Sequence, residues 1–488
     1  MRVRRADLTR ILSCLLLFVA IAPAQTVKPW NEIKAPPLPA FHPQEPVRVQ
    51  LPNGMVIFLQ EDHELPLIAA TARIRGGSIY EPADKTGLAE LYGEVWRTGG
   101  TTSKTGDEMD DFLEAHAAKI ETGAQSDSTV IGLDCLKGDF DAVFALFLEL
   151  LHNPEFRADK LELAKDQLYT GISRRNDNSS SIVHRENLII VYGKDNPYAR
   201  VPEYATVAAV TRDDLVNWHK QYVQPNNIIF GISGDFDPKA MQAKLEQVFN
   251  SWAKGPEAKP PEIKYSEPKR ALYFVRKTDV NQSSVGLLDL GIERSNPDYY
   301  AVSVMNELFG GGFSSRLFNN VRSKQGLAYS VGGGVGLGWD RPGTTAIQMQ
   351  TKSPTTVQGL LALENEIDDL HKTPASADEL KKAKDNILNS FIFQFDSPEK
   401  VLREKMTYEF YHYPLDFLER YRTEVEKVTA ADVTRVANKY LHNETMAVLV
   451  VGNDADFDKP LSTAGLPVEN VDIAIPPPPA GLMGPGGN

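Results

Sequence analysis

Cysteine is almost missing from this chain: Cys14 and Cys135 are the only two in 488 residues. Cys14 falls in the first 24 residues, which read as a removable leader. One thiol is then left, no internal disulfide can form, and stability must come from packing. Long apolar runs are also scarce. The single candidate, within "ILSCLLLFVAIAPA", is shorter than the ~18 residues that a membrane-spanning helix needs. Positive charge is in deficit, with 52 Lys and Arg against 65 Asp and Glu, a formal net charge of −13. That balance argues against nucleic acid and anionic membranes as partners. Histidines number nine, and the closest two, His42 and His63, are 21 residues apart. No helix can therefore present two imidazoles one turn apart, the commonest way to hold zinc on a single helix.

What is present begins with the N-terminus. Four arginines precede the apolar run, which closes in Ala22-Pro23-Ala24. This is a secretory signal pattern, with cleavage expected after Ala24. The expectation is an exported protein, periplasmic or extracellular, with a retained anchor as the alternative. Losing residues 1–24 removes four arginines and Asp7, a net +3, and takes the formal charge to −16.

The chain contains an internal repeat. "VTRDDLVNWHKQYVQPNNIIFGISGD" (210–235) aligns with "VTAADVTRVANKYLHNETMAVLVVGN" (428–453) at an offset of 218. Val210, Thr211, Asp214, Tyr222 and Gly234 fall on Val428, Thr429, Asp432, Tyr440 and Gly452. "LELAKDQL" (161–168) aligns with "LKKAKDNI" (380–387) at an offset of 219. Two matches at nearly one offset indicate a tandem duplication. Each copy of the first segment reads as a capped helix followed by a buried strand. "VRVQLPNGMVIFLQ" reads as a hairpin around Asn53-Gly54, and Thr105 with Glu108 as a capping box. The fold class expected is α+β, two homologous domains with helices over a mainly antiparallel sheet. The division expected is a signal peptide (1–24), a flexible segment (25–46), a first domain (47–252), an extended solvated linker (253–270), a second domain (271–460) and a Pro/Gly-rich tail (461–488), flexible over 475–488.

Three stretches carry a resemblance: "GLAELYGEVWRTGGT", "YVQPNNIIFGISGDFD" and "FGGGFSSRLFNNVRSKQGLAYSV". With the tandem halves, they resemble the pitrilysin/insulinase metallopeptidases, which include the mitochondrial processing peptidase. The resemblance implies a zinc helix of the form H-x-x-E-H. Laid on this chain, the two histidines fall on Glu90 and Glu94 and the catalytic glutamate on Gly93. The family's third ligand, a more distant glutamate, falls on Gly171. All four positions are replaced, so no metal is expected here. A pair of carboxylates facing solvent is the plain reading of Glu90 and Glu94; a hard cation between them is the alternative.

The second half keeps the arginine and tyrosine that the family uses to bind substrate and transition state, here Arg322 and Tyr329. An arginine fork suits carbonyls and carboxylates, and a tyrosine hydroxyl can donate to an oxyanion. Read alone, each is equally a dipole-offsetting helix arginine and a rim tyrosine. A helix capped by Ser314 or Ser315 is expected to run to about Lys324. By this resemblance the chain is half of a two-chain clamshell. It is the non-catalytic subunit of a heterodimeric zinc peptidase whose homologous partner carries H-x-x-E-H and the zinc. The expected substrates are short unfolded peptides. The alternative is an assembly or peptide-binding protein with no proteolytic role.

Overall fold

The computed structural model describes residues 43–481; the proposed signal and most of the 25–46 segment lie outside the described residues. The chain opens with β1 (Val47–Gln50), β2 (Val56–Glu61) and β3 (Leu67–Arg75). The β1–β2 hairpin turns at Gly54, whose φ of +95° is a left-handed value that suits glycine. Helices α1 (Leu88–Thr98) and α2 (Gly106–Ala115) follow, then β4 (Lys119–Ala124) and β5 (Ser128–Leu136). The capping box of α2 is present, Thr105 and Glu108 bonding reciprocally. Next come α3 (Phe140–His152), α4 (Ala158–Arg174), α5 (Ser179–Tyr192), α6 (Tyr204–Ala208), α7 (Arg212–Tyr222), β6 (Ile228–Gly234) and α8 (Pro238–Phe249).

The second half repeats this order. It has β7 (Leu272–Arg276), β8 (Gln282–Leu290), β9 (Ile292–Glu293), α9 (Tyr299–Gly310), β10 (Ala328–Gly334), β11 (Leu337–Gly338) and β12 (Thr344–Lys352). These are followed by α10 (Thr356–Lys372), α11 (Ala377–Phe391), α12 (Pro398–Phe410), α13 (Phe417–Lys427), α14 (Ala430–Tyr440), β13 (Ala447–Gly452) and β14 (Val468–Asn470).

The two large sheets prove the duplication. Their strand orders are β1-β2-β6-β3-β5-β4 and β10-β12-β8-β13-β7-β14. Read in opposite directions they superpose: β2 on β7, β6 on β13, β3 on β8, β5 on β12 and β4 on β10. In both, the β2/β6 and β7/β13 pairs are parallel and the other shared pairs antiparallel. The repeated Thr and Asp are the capping boxes of α7 and α14. The strands that follow, β6 and β13, are buried on both faces.

The halves exchange a helix. Helix α5 belongs to the first half by sequence, yet Ile182, Val191 and Tyr192 pack on Val275, Leu288 and Leu449 of the second sheet. Reciprocally, Leu402, Met406 and Phe410 of α12 pack on Val56, Phe58 and Ile229 of the first. Gly231 makes room for this: a side chain there would start 2.2 Å from Met406 Sδ. Polar ties reinforce the exchange. Arg48 binds Glu409 through two 2.8 Å bonds. Tyr411 donates to Asp127, and Arg73 bonds both (3.2 and 3.4 Å).

Two expectations need amendment. The 253–270 stretch is irregular but not simply solvated. Asn226 and Asn227 accept from the backbone of Gly255 and Ala258 at 2.9 Å, and Ala258 is buried. Nor is the tail uniformly loose. Its apolar residues find partners: β14 pairs parallel with β7, and Asn176 donates to the Ile473 carbonyl at 2.6 Å. Ile475 then packs on the first-half core. Residues 482–488 lie outside the described residues. Among the described residues no helix is long and apolar enough to cross a membrane.

Candidate functional site: a closed helix and an open edge

Helix α1 carries three of the four replaced positions. Leu88, Leu91, Tyr92, Val95 and Trp96 bury one face, and Trp96 Nε1 donates to Leu150 O at 2.8 Å. Its N-terminus is closed from outside the helix. The buried Glu81 carboxylate accepts from Gly87 N (3.1 Å) and Ala89 N (3.0 Å). Gly87 itself is left-handed, φ +106°. A glutamate six residues ahead of the N-cap glycine is a cap that no local rule identifies.

Burial pushes the Glu81 carboxyl up to about 7, against the pull of those two N–H groups and of Arg200. The folded state therefore holds a proton that the unfolded chain, near the ordinary 4.5, has released. This site's stability contribution is full below about pH 4.5 and is lost as pH rises through about 7, a change of at most roughly 3 kcal/mol. Glu81→Gln should flatten that slope in urea titrations run between pH 4.5 and 7.5. An unchanged slope would show that Glu81 is ionised throughout.

The next turn presents Glu90 and Glu94 to solvent. Protein surrounding Glu90 raises its pKa, and repulsion from Glu94 adds to this. Between them lies Gly93, which is buried against β4. Thr122 Oγ1 donates to its carbonyl at 2.6 Å. A Cβ on Gly93 would stand 2.7 Å from Ala124 N and 2.8 Å from the carbonyl carbon of Gly123. The helix has closed on the strand backbone to a distance only glycine permits. Gly171 is exposed on α4, with open space where a side chain would be. Among the described residues no three His, Cys, Asp or Glu side chains converge as a metal site. The donors present do not fit zinc: two carboxylates without imidazole, and backbone filling the place of the water-activating acid.

Two histidines of the first half are engaged elsewhere. His219 is half-buried, its ring bonded to Leu151 O (3.0 Å) and Tyr92 OH (2.9 Å), and the surrounding protein lowers its pKa to about 4. It is a neutral, hydrogen-bonded structural group. His63 is exposed, 2.6 Å from Asp235.

Arg322 and Tyr329 lie in the second half, and among the described residues no hydrogen bond or ion pair links them to α1. The helix expected up to Lys324 is a π-helix, Phe318–Lys324, a correction to the α-helical expectation. Ser315 Oγ accepts from Phe318 N at 3.3 Å, so the cap is Ser315. The wider turn closes through Gln325 N to Asn320 O, 3.1 Å. Such turns are rare and concentrate at functional sites. Arg322 stacks on Phe318, 4.6 Å from the ring centre. Tyr329 sits in a β-bulge of β10: Ala328 pairs with Thr351 and Ser330 with Gln350, leaving Tyr329 unpaired. It is 72% exposed, on an edge strand that pairs only with β12 among the described residues. Bulges re-aim side chains in this way.

The family model described as Insulinase (Peptidase family M16) matches residues 56–199, and that described as Peptidase M16 inactive domain matches 209–387. The chain belongs to the M16 peptidase family. Within it, this chain is an inactive member. A solved relative is the peptidase M16 inactive domain from Pseudomonas fluorescens, 26% identical, with a TM-score of 0.75 over 84% of this chain and 98% of that one. A protease from Helicobacter pylori has the same fold, with a TM-score of 0.73 at 20% identity, covering 84% of this chain and 100% of that one. By sequence, the non-peptidase homolog YmxG of Helicobacter pylori is 21% identical over 81% of this chain and 91% of its own length. An uncharacterized zinc protease of Rickettsia felis is 20% identical over 83% and 97%.

Proposed function

We propose that this protein is the exported, non-catalytic subunit of a two-chain M16 peptidase that binds short unfolded peptides. One observation supports this above others. The helix that would do the chemistry is sealed against β4 at Gly93, whereas Tyr329 stands out from the edge strand β10. Loss of one site with retention of the other is the division of labour expected of a paired enzyme. The partner brings H-x-x-E-H and zinc; this chain brings Arg322 and Tyr329. An edge strand offers unpaired N–H and C=O groups to an extended peptide, which selects unfolded substrates.

The test is reconstitution with an M16 chain that carries H-x-x-E-H. Activity should require both chains. Arg322→Ala and Tyr329→Phe should each lower kcat of the pair by roughly 100–1,000-fold, the range for losing one transition-state donor, with assembly unchanged by sedimentation. Full turnover by both variants would leave this chain as a peptide-holding or assembly protein. Export is tested by fractionation and N-terminal sequencing, with Gln25 expected as the first residue.

A further inference from the structure

The second half contains a cleft of about 580 Å³ between α9, β10, α11, α12 and α13. By the repeat, α9 follows β8 as α1 follows β3, and α11 is the copy of α4. At the offset of 219, Gly171 corresponds to Ser390, which lines the cleft. The cleft thus takes, in the second half, the place that the degenerate zinc site holds in the first. There the helix has closed onto its strand; here Asn306 spans the gap. Its amide donates to Val335 O at 2.8 Å and accepts from Val335 N at 2.9 Å. The space beside it remains open.

The walls are aromatic: Tyr299, Phe391, Tyr408, Phe417 and Tyr421. The charged groups lining it are Arg294, Glu307 and Glu404; Glu307 accepts from Asn386 at 3.1 Å, and Arg294 and Glu404 also line a neighbouring cleft of about 780 Å³ against the first sheet. Arg294 lies over the Trp339 ring at 3.7 Å. Its Nε is buried without a hydrogen-bond partner, and among the described residues its guanidinium is in no ion pair. Stacking holds the fork in place and leaves its donors unused. Arg294 and Glu404 do not approach within the 4.0 Å of an ion pair. Arg294 and Glu404, held apart and flanked by aromatic rings, suit a ligand that carries an anionic group, a cationic group and a ring.

We propose that this cleft binds a free aromatic amino acid as its zwitterion. The carboxylate would meet the Arg294 fork, the ammonium would meet Glu404, and the ring would pack among the tyrosine and phenylalanine walls. The site is independent of the peptidase-partner reading and needs no second chain.

Calorimetric titration of the purified protein with L-phenylalanine tests this. One saturable site is expected. Phenethylamine, without the carboxylate, and 3-phenylpropionate, without the amine, should each bind at least tenfold more weakly. Arg294→Gln and Glu404→Gln should each weaken L-phenylalanine by tenfold or more, and Arg294→Lys, which keeps charge but not the fork, by less. Glu404→Gln is isosteric, so it carries the test if Arg294→Gln misfolds. Absence of binding at millimolar L-phenylalanine would overturn the proposal. So would equal binding of the two analogues, or affinity unmoved by both glutamine variants.

Discussion

Gly93→Glu, the substitution that restores the family's acid, should lower stability by about 3 kcal/mol or more and restore no hydrolysis. The first added carbon would stand 2.7 Å from Ala124 N and 2.8 Å from the Gly123 carbonyl carbon. Those atoms belong to the backbone of β4, which is laddered to β5 along its length and cannot swing aside like a side chain. The Thr122 bond to the Gly93 carbonyl would strain as the helix moved. Urea denaturation measures the cost. Placing Glu at 93, His at 90 and 94, and Glu at 171 together should therefore yield a destabilised protein rather than a peptidase. A fourfold variant as stable as the parent that binds one zinc would show that the closure of α1 on β4 is incidental.

Phe410→Ala should cost about 3–5 kcal/mol, the range for a large buried aromatic, and should also change how the protein unfolds. Phe410 is buried on the first sheet although its helix belongs to the second half. Arg73 and Arg75 lie over its ring at 3.8 and 4.3 Å, and Arg75 also donates to its carbonyl. Removing the ring leaves a cavity under two cations whose other contacts were arranged around it. Because α12 is the first sheet's cover, its loosening exposes Val56, Phe58 and Ile229. Calorimetry should show a single transition in the parent and two in the variant. A single transition shifted to lower temperature would mean that the polar ties through Glu409 and Tyr411 couple the halves without the ring.

Much of the architecture was legible in the residues. The matched Thr and Asp of 211/214 and 429/432 announced both the duplication and the caps, because capping is a bond between neighbours three residues apart. Asn53-Gly54 announced its hairpin for a similar local reason. The expectation of no zinc needed only the identities at 90, 93, 94 and 171 set against the resemblance. The π-helix at 318–324 was not legible: its backbone bonds are consistent with the same side chains that an α-helix would carry. Nor was the Glu81 cap, which reaches α1 from outside any standard capping position. Arg294 drew no notice, since an isolated arginine in a loop means nothing until Trp339 is beneath it and Glu404 nearby.

The residues by themselves determined that this is a duplicated α+β chain without zinc ligands on its first-half helix, since those facts rest on short-range patterns and on which atoms are present. Only the tertiary structure decided that α5 and α12 change places, that Gly93 is sealed against β4, and that Tyr329 is lifted out at a bulge. Each depends on surfaces distant in sequence meeting at van der Waals distance, and such meetings are set by the packing of the whole chain.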